Sequence, residues 1–237
     1  MSASAASLAF DNLVAGYADT PVLHGVSGTL PAGHVLGVIG RNGVGKSTLI
    51  RTLAGVIHPF SGSVSLSAQL IGNRPAYAYR ALGISYAPQE RVVFDDLTVA
   101  DKLTLGRASR DMRPFALSFG LFPRIAERLG QKAGIMSGGE KKLLSFVRIL
   151  AEDSPFTLLD EPTEGVAPDN LALMVQALLE REERGRSFLV AEQNIEFLLA
   201  VADSLVIMDH GVFVAAGTGG SFRGSVSRDF WLSERSL

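Results

Sequence analysis

The run Gly40-Arg41-Asn42-Gly43-Val44-Gly45-Lys46-Ser47 has the spacing G-x-x-x-x-G-K-[ST], and each residue type in it has a task. Glycines let the backbone curl so that successive N–H groups point at phosphate oxygens. A helix opening near Lys46 adds its positive dipole end. Lys46 supplies a point charge for the β- and γ-phosphates, and Ser47 a hydroxyl ligand for Mg²⁺. A glycine-rich turn without function would share this composition. This run, however, follows an apolar strand-like segment and opens a helical pattern, the setting the chemistry demands.

Two further groups could act beside it. Phe156-Thr157-Leu158-Leu159-Asp160-Glu161 is an apolar strand closing on two carboxylates. Next to a phosphate loop, Asp160 can hold Mg²⁺ directly or through water. Glu161, one residue on, points elsewhere and can polarise an attacking water. Alone, the pair also reads as a solvated acidic turn; the phosphate loop upstream favours the metal and general-base roles. Ser137-Gly138-Gly139 precedes Leu143, Leu144, Phe146, Val147 and Leu150 at helical spacing. Ser137 can cap that helix, and the glycines expose backbone N–H groups. The segment is a second anion site or a plain helix cap.

Positioning these groups requires strands that end where the loops begin. Residues 35–39 form a short apolar run of the kind found in buried parallel strands. Further strands are expected at 63–66, 84–87, 156–159, 188–191 and 205–208, with helices at 46–56, 169–184 and 194–202. Residues 8–30 alternate apolar and polar, punctuated by Gly16, Gly25 and Gly28, and read as short antiparallel strands. From about 97 to 150 the pattern is mostly helical, and Thr98-Val99-Ala100-Asp101 resembles a capping box with Asp in place of Glu. Alternating strand and helix implies a parallel sheet covered on both faces. The expected fold class is α/β, with a helical insertion in its middle.

Composition removes several alternatives. Lys and Arg number 22 against 24 Asp and Glu, so a strongly basic nucleic-acid surface is not expected. Cysteine is absent, which excludes disulfides, thiolate metal sites and cysteine nucleophiles. The four histidines have no H-x-x-x-H spacing. No stretch approaches the ~18 apolar residues of a spanning helix, and the start MSASAASLAF lacks a basic n-region. If the chain works at a membrane, something else must hold it there.

Taken together these motifs resemble the ATP-binding cassette (ABC) ATPase family, in order and over nearly the whole chain. GRNGVGKST resembles the Walker A motif, MSGGE the LSGGQ signature, and FTLLDE the Walker B strand with its catalytic glutamate. Gln89 falls at the Q-loop, and Tyr17 lies where the family places an aromatic ring that stacks on adenine. The resemblance implies a P-loop ABC ATPase fold. Its RecA-like parallel-sheet core with an N-terminal antiparallel β subdomain would span about 1–89 and 155–237, and its helical subdomain about 90–154. It implies that Tyr17, Gly40, Asn42, Gly43, Gly45, Lys46, Ser47 and Thr48 bind ATP. Ser47, Gln89 and Asp160 would hold Mg²⁺, and Glu161 and Gln193 would act in hydrolysis. Ser137, Gly138 and Gly139 would serve the nucleotide of a partner subunit, since each ATP in this family sits between two cassettes. The region from Gln89 to Phe94, with the helices after it, would receive coupling helices from membrane subunits.

The segments around Pro88-Gln89-Glu90-Arg91, Glu161-Pro162-Thr163-Glu164-Gly165 and Glu192-Gln193-Asn194 narrow the resemblance to the short ATPase subunit of branched-chain amino acid and urea importers. Implied partners are a second ABC ATPase subunit, identical or homologous, transmembrane permease subunits and, indirectly, an extracytoplasmic solute-binding protein; nucleic acid is not one. The implied location is the cytoplasmic face of the plasma membrane. Four positions depart from the family pattern. Gln193 stands for the usual histidine, Ala167 for the D-loop aspartate, and Met136 and Glu140 flank the signature in place of Leu and Gln. Two other readings stay open: a non-transport ABC protein, and a regulatory nucleotide-binding module with weak hydrolysis. Against the first stands the interval of about ninety residues between Walker A and signature, with no sustained heptads.

Overall fold

The computed structural model describes residues 6–72, 74–89 and 95–218. Two long strands open the chain, β1 (Ser7–Tyr17) and β2 (Thr20–Pro31), paired antiparallel. After them come β3 (Val35–Ile39), α1 (Lys46–Leu53), β4 (Ser61–Leu66), β5 (Gln69–Leu70), α2 (Ala76–Ala81) and β6 (Ile84–Ala87). Helices α3 (Val99–Thr104), α4 (Ala116–Leu121), α5 (Pro123–Glu127) and α6 (Gly138–Leu150) follow. The chain then alternates through β7 (Phe156–Asp160), α7 (Pro168–Glu182), β8 (Ser187–Glu192), α8 (Ile195–Val201), β9 (Ser204–Asp209) and β10 (Val212–Thr218).

The first sheet is antiparallel, in the order β2-β1-β4-β5. The second runs β10-β9-β3-β8-β7-β6, all parallel except the edge strand β10. Every residue of β3, β7 and β8 is buried, as a central strand covered on both faces requires. One face of this sheet packs on residues of α3, α6, α7 and α8; the other packs on α1 and the antiparallel sheet. The register sets Ile39 opposite Glu192 and Asp160 opposite Ala191. The loops after β3, β7 and β8 therefore leave one edge of the sheet side by side, where open α/β sheets place their ligands.

Helix α1 shows how packing holds a phosphate-facing end. Leu49, Ile50 and Leu53 are completely buried. Each such side chain contributes roughly 1.5–3 kcal/mol relative to exposure, so the helix is anchored by its buried side while its first turn faces the cleft. The sequence pattern extends this helix to residue 56, but it ends at Leu53, because Gly55 adopts φ +72° against the Tyr79 ring. The glycines expected to punctuate residues 8–30 lie within the long strands instead. The turn is made by Ala18 at φ +49°, whereas Gly16 is needed because a Cβ there would sit 2.0 Å from the Thr20 carbonyl oxygen. The capping box at Thr98 forms as its sequence suggests, with the Asp101 carboxylate accepting from Thr98 N–H while Thr98 Oγ1 accepts from Asp101 N–H. Strand β10 and helix α2 have no counterpart in the sequence reading. Residues 90–94, part of the expected docking region, lie outside the described residues. Among the described residues no helix is long and apolar enough to cross a membrane.

Candidate functional site

The phosphate loop joins β3 to α1. Gly45 caps α1 at φ +110°, a conformation open to glycine, and no side chain caps the helix. The first-turn N–H groups of α1 thus have no intrahelical partner and face the cleft. The loop is braced from behind: Gly40 N–H donates to the Glu192 carbonyl at 3.4 Å, and Gly211 N–H to the Val44 carbonyl at 2.8 Å. Lys46 is only 3% exposed, and its ammonium donates to the carbonyls of Gly40 at 2.8 Å and Arg41 at 3.0 Å. The same nitrogen lies 3.1 Å from Glu161 Oε1.

The carboxylates at the end of β7 diverge, Asp160 as its last residue and Glu161 just past it in a left-handed backbone conformation. Ser47 Oγ donates to Asp160 Oδ1 at 2.9 Å, while Asp160 Oδ2 is buried without a hydrogen-bond partner. Burial pushes the Asp160 carboxyl above the usual carboxylate range; the bond from Ser47 opposes this, and the neighbouring Glu161 charge adds to it. A buried oxygen without a donor, next to a serine hydroxyl, fits a hard divalent cation, which would offset the desolvation. Glu161 turns the other way. Its backbone is in the left-handed region at φ +47°, its N–H donates to the Ala191 carbonyl at 2.9 Å, and its Oε2 accepts from Gln89 Nε2 at 2.6 Å.

Gln193 begins the loop after β8. Its amide nitrogen donates to Asn42 Oδ1 at 2.8 Å and stands 3.5 Å from Glu161 Oε1. Tyr17 ends β1 with its ring half exposed, and its hydroxyl accepts from Arg51 Nη1 at 2.9 Å. Tyr17, Asn42, Gly43, Gly45, Lys46, Ser47, Thr48, Gln89 and Glu161 line one cleft of about 260 Å³. Gln89 enters it through its amide nitrogen on Glu161, whereas Ser47 and Asp160 bond each other.

The signature residues are elsewhere. Ser137 caps α6, its Oγ accepting from Glu140 N–H at 3.2 Å while Glu140 Oε2 accepts from Ser137 N–H at 2.9 Å. This reciprocal pair gives Glu140 a structural reason to be there. Gly139 has no room for a side chain, since a Cβ would lie 2.1 Å from the Gly165 carbonyl oxygen. Ser137, Gly138 and Gly139 line a second cleft of about 470 Å³ with Lys141, Lys142 and Glu164. Gln89 lines both clefts, and its carbonyl accepts from Lys142 Nζ of α6 at 2.8 Å.

Arg51, Lys142, Thr163 and Glu192 join these contacts although the sequence assigns none of them a role. The first three carry no local signal. Glu192 is a charged residue closing an apolar strand, a feature shared with Asp160, and it is 3% exposed. Ala167, at the departure from the D-loop pattern, is the N-cap position of α7 and offers no side-chain cap.

Comparison with known proteins bears on the family and the fold. The chain is 33% identical over 216 residues, 90% of its own length and 93% of the other's, to the high-affinity branched-chain amino acid transport ATP-binding protein BraG of Pseudomonas aeruginosa. It is 30% identical over 219 residues, 90% of its length and 71% of the other's, to the Nod factor export ATP-binding protein I of Burkholderia orbicola. Among solved structures, a nucleotide-free ATP-binding cassette from an ABC transporter superposes with a TM-score of 0.85 at 27% identity, covering 98% of this chain and 99% of that one. The ABC transporter family model matches residues 23–164, from within β2 to the residues just past the acidic pair, and the chain belongs to the ABC transporter family.

Proposed function

We propose that this chain is the ATP-binding and ATP-hydrolysing subunit of an importer for branched-chain amino acids or related small amides such as urea. The observation that carries the hydrolytic reading is one cluster: Ser47 bonded to Asp160, whose second oxygen is orphaned, beside the buried Lys46–Glu161 pair. The solute class rests on the similarity to BraG, which spans nearly all of both chains. The export protein is matched over a smaller share of its length, and supports the alternative of an exporter subunit.

In this reading Tyr17 stacks on adenine, and the loop from Gly40 to Thr48, including Asn42, Gly43 and Gly45, cradles the phosphates. Phosphate oxygens replace Gly40 and Arg41 carbonyls as partners of Lys46. Ser47 and Asp160, with Gln89 alongside, would hold Mg²⁺, which would supply neutralisation of the phosphate charge. Glu161 orients a water and accepts its proton as the water oxygen bonds to the γ-phosphorus and the bridging oxygen leaves. Gln193 donates from its amide to a γ-phosphate oxygen. A second cassette contributes Ser137, Gly138 and Gly139 across the interface, and permease subunits hold the assembly at the cytoplasmic face of the membrane. Helices from about residue 95 to 150 act as the subdomain that receives them.

The test is reconstitution of this chain with its permease and binding protein in vesicles. Leucine and urea are each offered outside, and ATP hydrolysis and uptake are measured together. Uptake of either solute coupled to ATP turnover supports the reading. Turnover without solute stimulation, or no turnover, counts against it.

A further inference from the structure

Glu192 is a buried carboxylate to which neither the family match nor the sequence motifs give a role. Its four hydrogen bonds come from neutral donors. Oε1 accepts from Thr163 N–H at 2.8 Å and Thr163 Oγ1 at 2.7 Å; Oε2 accepts from Gln193 N–H at 3.0 Å and Asn194 N–H at 3.3 Å. Two oxygens offer about four acceptor sites, so the ionised carboxylate is saturated. Its own carbonyl accepts from Gly40 N–H. One residue thus touches the three loops that carry the phosphate-binding, acidic and Gln193 groups.

Glu161 gives this arrangement its point. A non-glycine residue at φ +47° is strained and persists only where its surroundings over-determine it. On one side its N–H is tied to the Ala191 carbonyl; two residues later Thr163 is tied, by backbone and hydroxyl, to the Glu192 side chain. Consecutive residues of β8 therefore bracket the strained turn. The other oxygen of the same carboxylate fixes the peptide that leads to Gln193. We infer that Glu192 is a positioning residue for hydrolysis, holding Glu161 and Gln193 on one frame without touching nucleotide itself.

This inference rests on the ATPase reading of the site. Misplacing a reacting group by ~1 Å can cost on the order of 100-fold in rate. Glu192→Gln puts an NH₂ group where at least one backbone N–H must be accepted, so one link breaks while the side chain keeps its volume. The full-length chain is assayed for hydrolysis of radiolabelled ATP, for binding of a fluorescent ATP analogue, and for thermal melting. The expected result is a fall in kcat of at least about ten-fold with affinity changed less than about three-fold. Thr163→Ser should stay close to wild type, Thr163→Val should lower kcat, and the double variant Glu192→Gln/Thr163→Val should lose little beyond Glu192→Gln, since both break one link. Should Glu192→Gln not fold, the contrast between Thr163→Ser and Thr163→Val decides. Turnover in Glu192→Gln within two-fold of wild type overturns the positioning role alone. So does a parallel loss of affinity, kcat and melting temperature, or a double variant whose losses multiply. A wild-type chain without turnover overturns the ATPase reading, and this inference with it.

Discussion

The two clefts are built on opposite plans. Around the phosphate loop nearly every functional group is paired within the chain: Lys46 with Glu161, Glu161 with Gln89, Ser47 with Asp160, Gln193 with Asn42. Lys46, Asp160 and Glu161 are each less than 5% exposed. In the signature cleft the pairing lies in the lysines behind the helix start, Lys142 on the Gln89 carbonyl and 3.8 Å from Glu164, and Lys141 3.2 Å from Asp95. Ser137 and Gly138 are exposed, and the capping box is satisfied by its own helix. The difference teaches where chemistry and recognition are divided. Buried, mutually restrained charges suit a reaction, because low dielectric strengthens them and little reorganisation is needed. An exposed helix start with free N–H groups suits an anion brought by another molecule.

The largest expected effect breaks the first cleft. Glu161→Gln keeps shape but cannot take a proton. Turnover should fall by roughly 10²–10⁴-fold while ATP still binds, as measured by single-turnover hydrolysis and equilibrium binding. Near-normal turnover would move the base elsewhere. A sharper test sets one cleft against the other. Lys46→Ala and Ser137→Arg chains, each inactive, are mixed; in a homodimer one composite site then carries both lesions and the other none. Activity should recover to about half that of wild type in the mixed dimers, reckoning one intact site of two. No recovery where mixed dimers demonstrably form would show that the clefts do not share a nucleotide.

Smaller effects follow from single neutral bonds. Gln193→Ala removes one amide donor, so the barrier should rise by about 1–2 kcal/mol with ATP affinity nearly intact. Steady-state ATPase assays of the assembled transporter read this directly. Ser137→Ala deletes the cap of α6 and should cost about 1 kcal/mol, a shift of about 2–4 °C in melting temperature for a chain of this size. The last effect has the opposite sign. Burial raises the Asp160 pKa, so the folded state holds that proton more tightly than the unfolded chain. Its contribution is present below the unfolded pKa and is lost as pH rises through the folded value. With divalent cations chelated, Asp160→Asn should therefore melt higher than wild type, by a margin that widens as pH rises through that window.

Much of the first cleft is legible in sequence because its parts are local. Glycine spacing and an apolar strand ending in carboxylates each declare a backbone geometry, as does the serine before two glycines in the second cleft. The parallel sheet follows from alternating elements, and α6 from its periodic Leu and Phe residues. What escapes is the long-range pairing. Gln193 meets Asn42 across 151 positions, and Lys142 meets Gln89 across 53; nothing local encodes either. Glu192 escapes for another reason. It closes an apolar strand next to exposed Gln193, where a solvated carboxylate is the ordinary expectation, and only the packing of three loops buries it. Strand β10 is not legible in the sequence, because its partly exposed alternation gives little hydrophobic signal at a sheet edge.

Gln89 stands in both clefts, its side chain on Glu161 and its carbonyl on Lys142 of the signature helix. Such a layout works like a relay with a parallel wire. A change in what Glu161 holds reaches α6 through Gln89, and beside it through the same loop, where Glu164 lies 3.8 Å from Lys142 and Gly165 packs on Gly139. Because the arm to Lys142 is the backbone carbonyl and the arm to Glu161 is the side chain, a side-chain change at position 89 releases Glu161 while the hold on α6 stays in place.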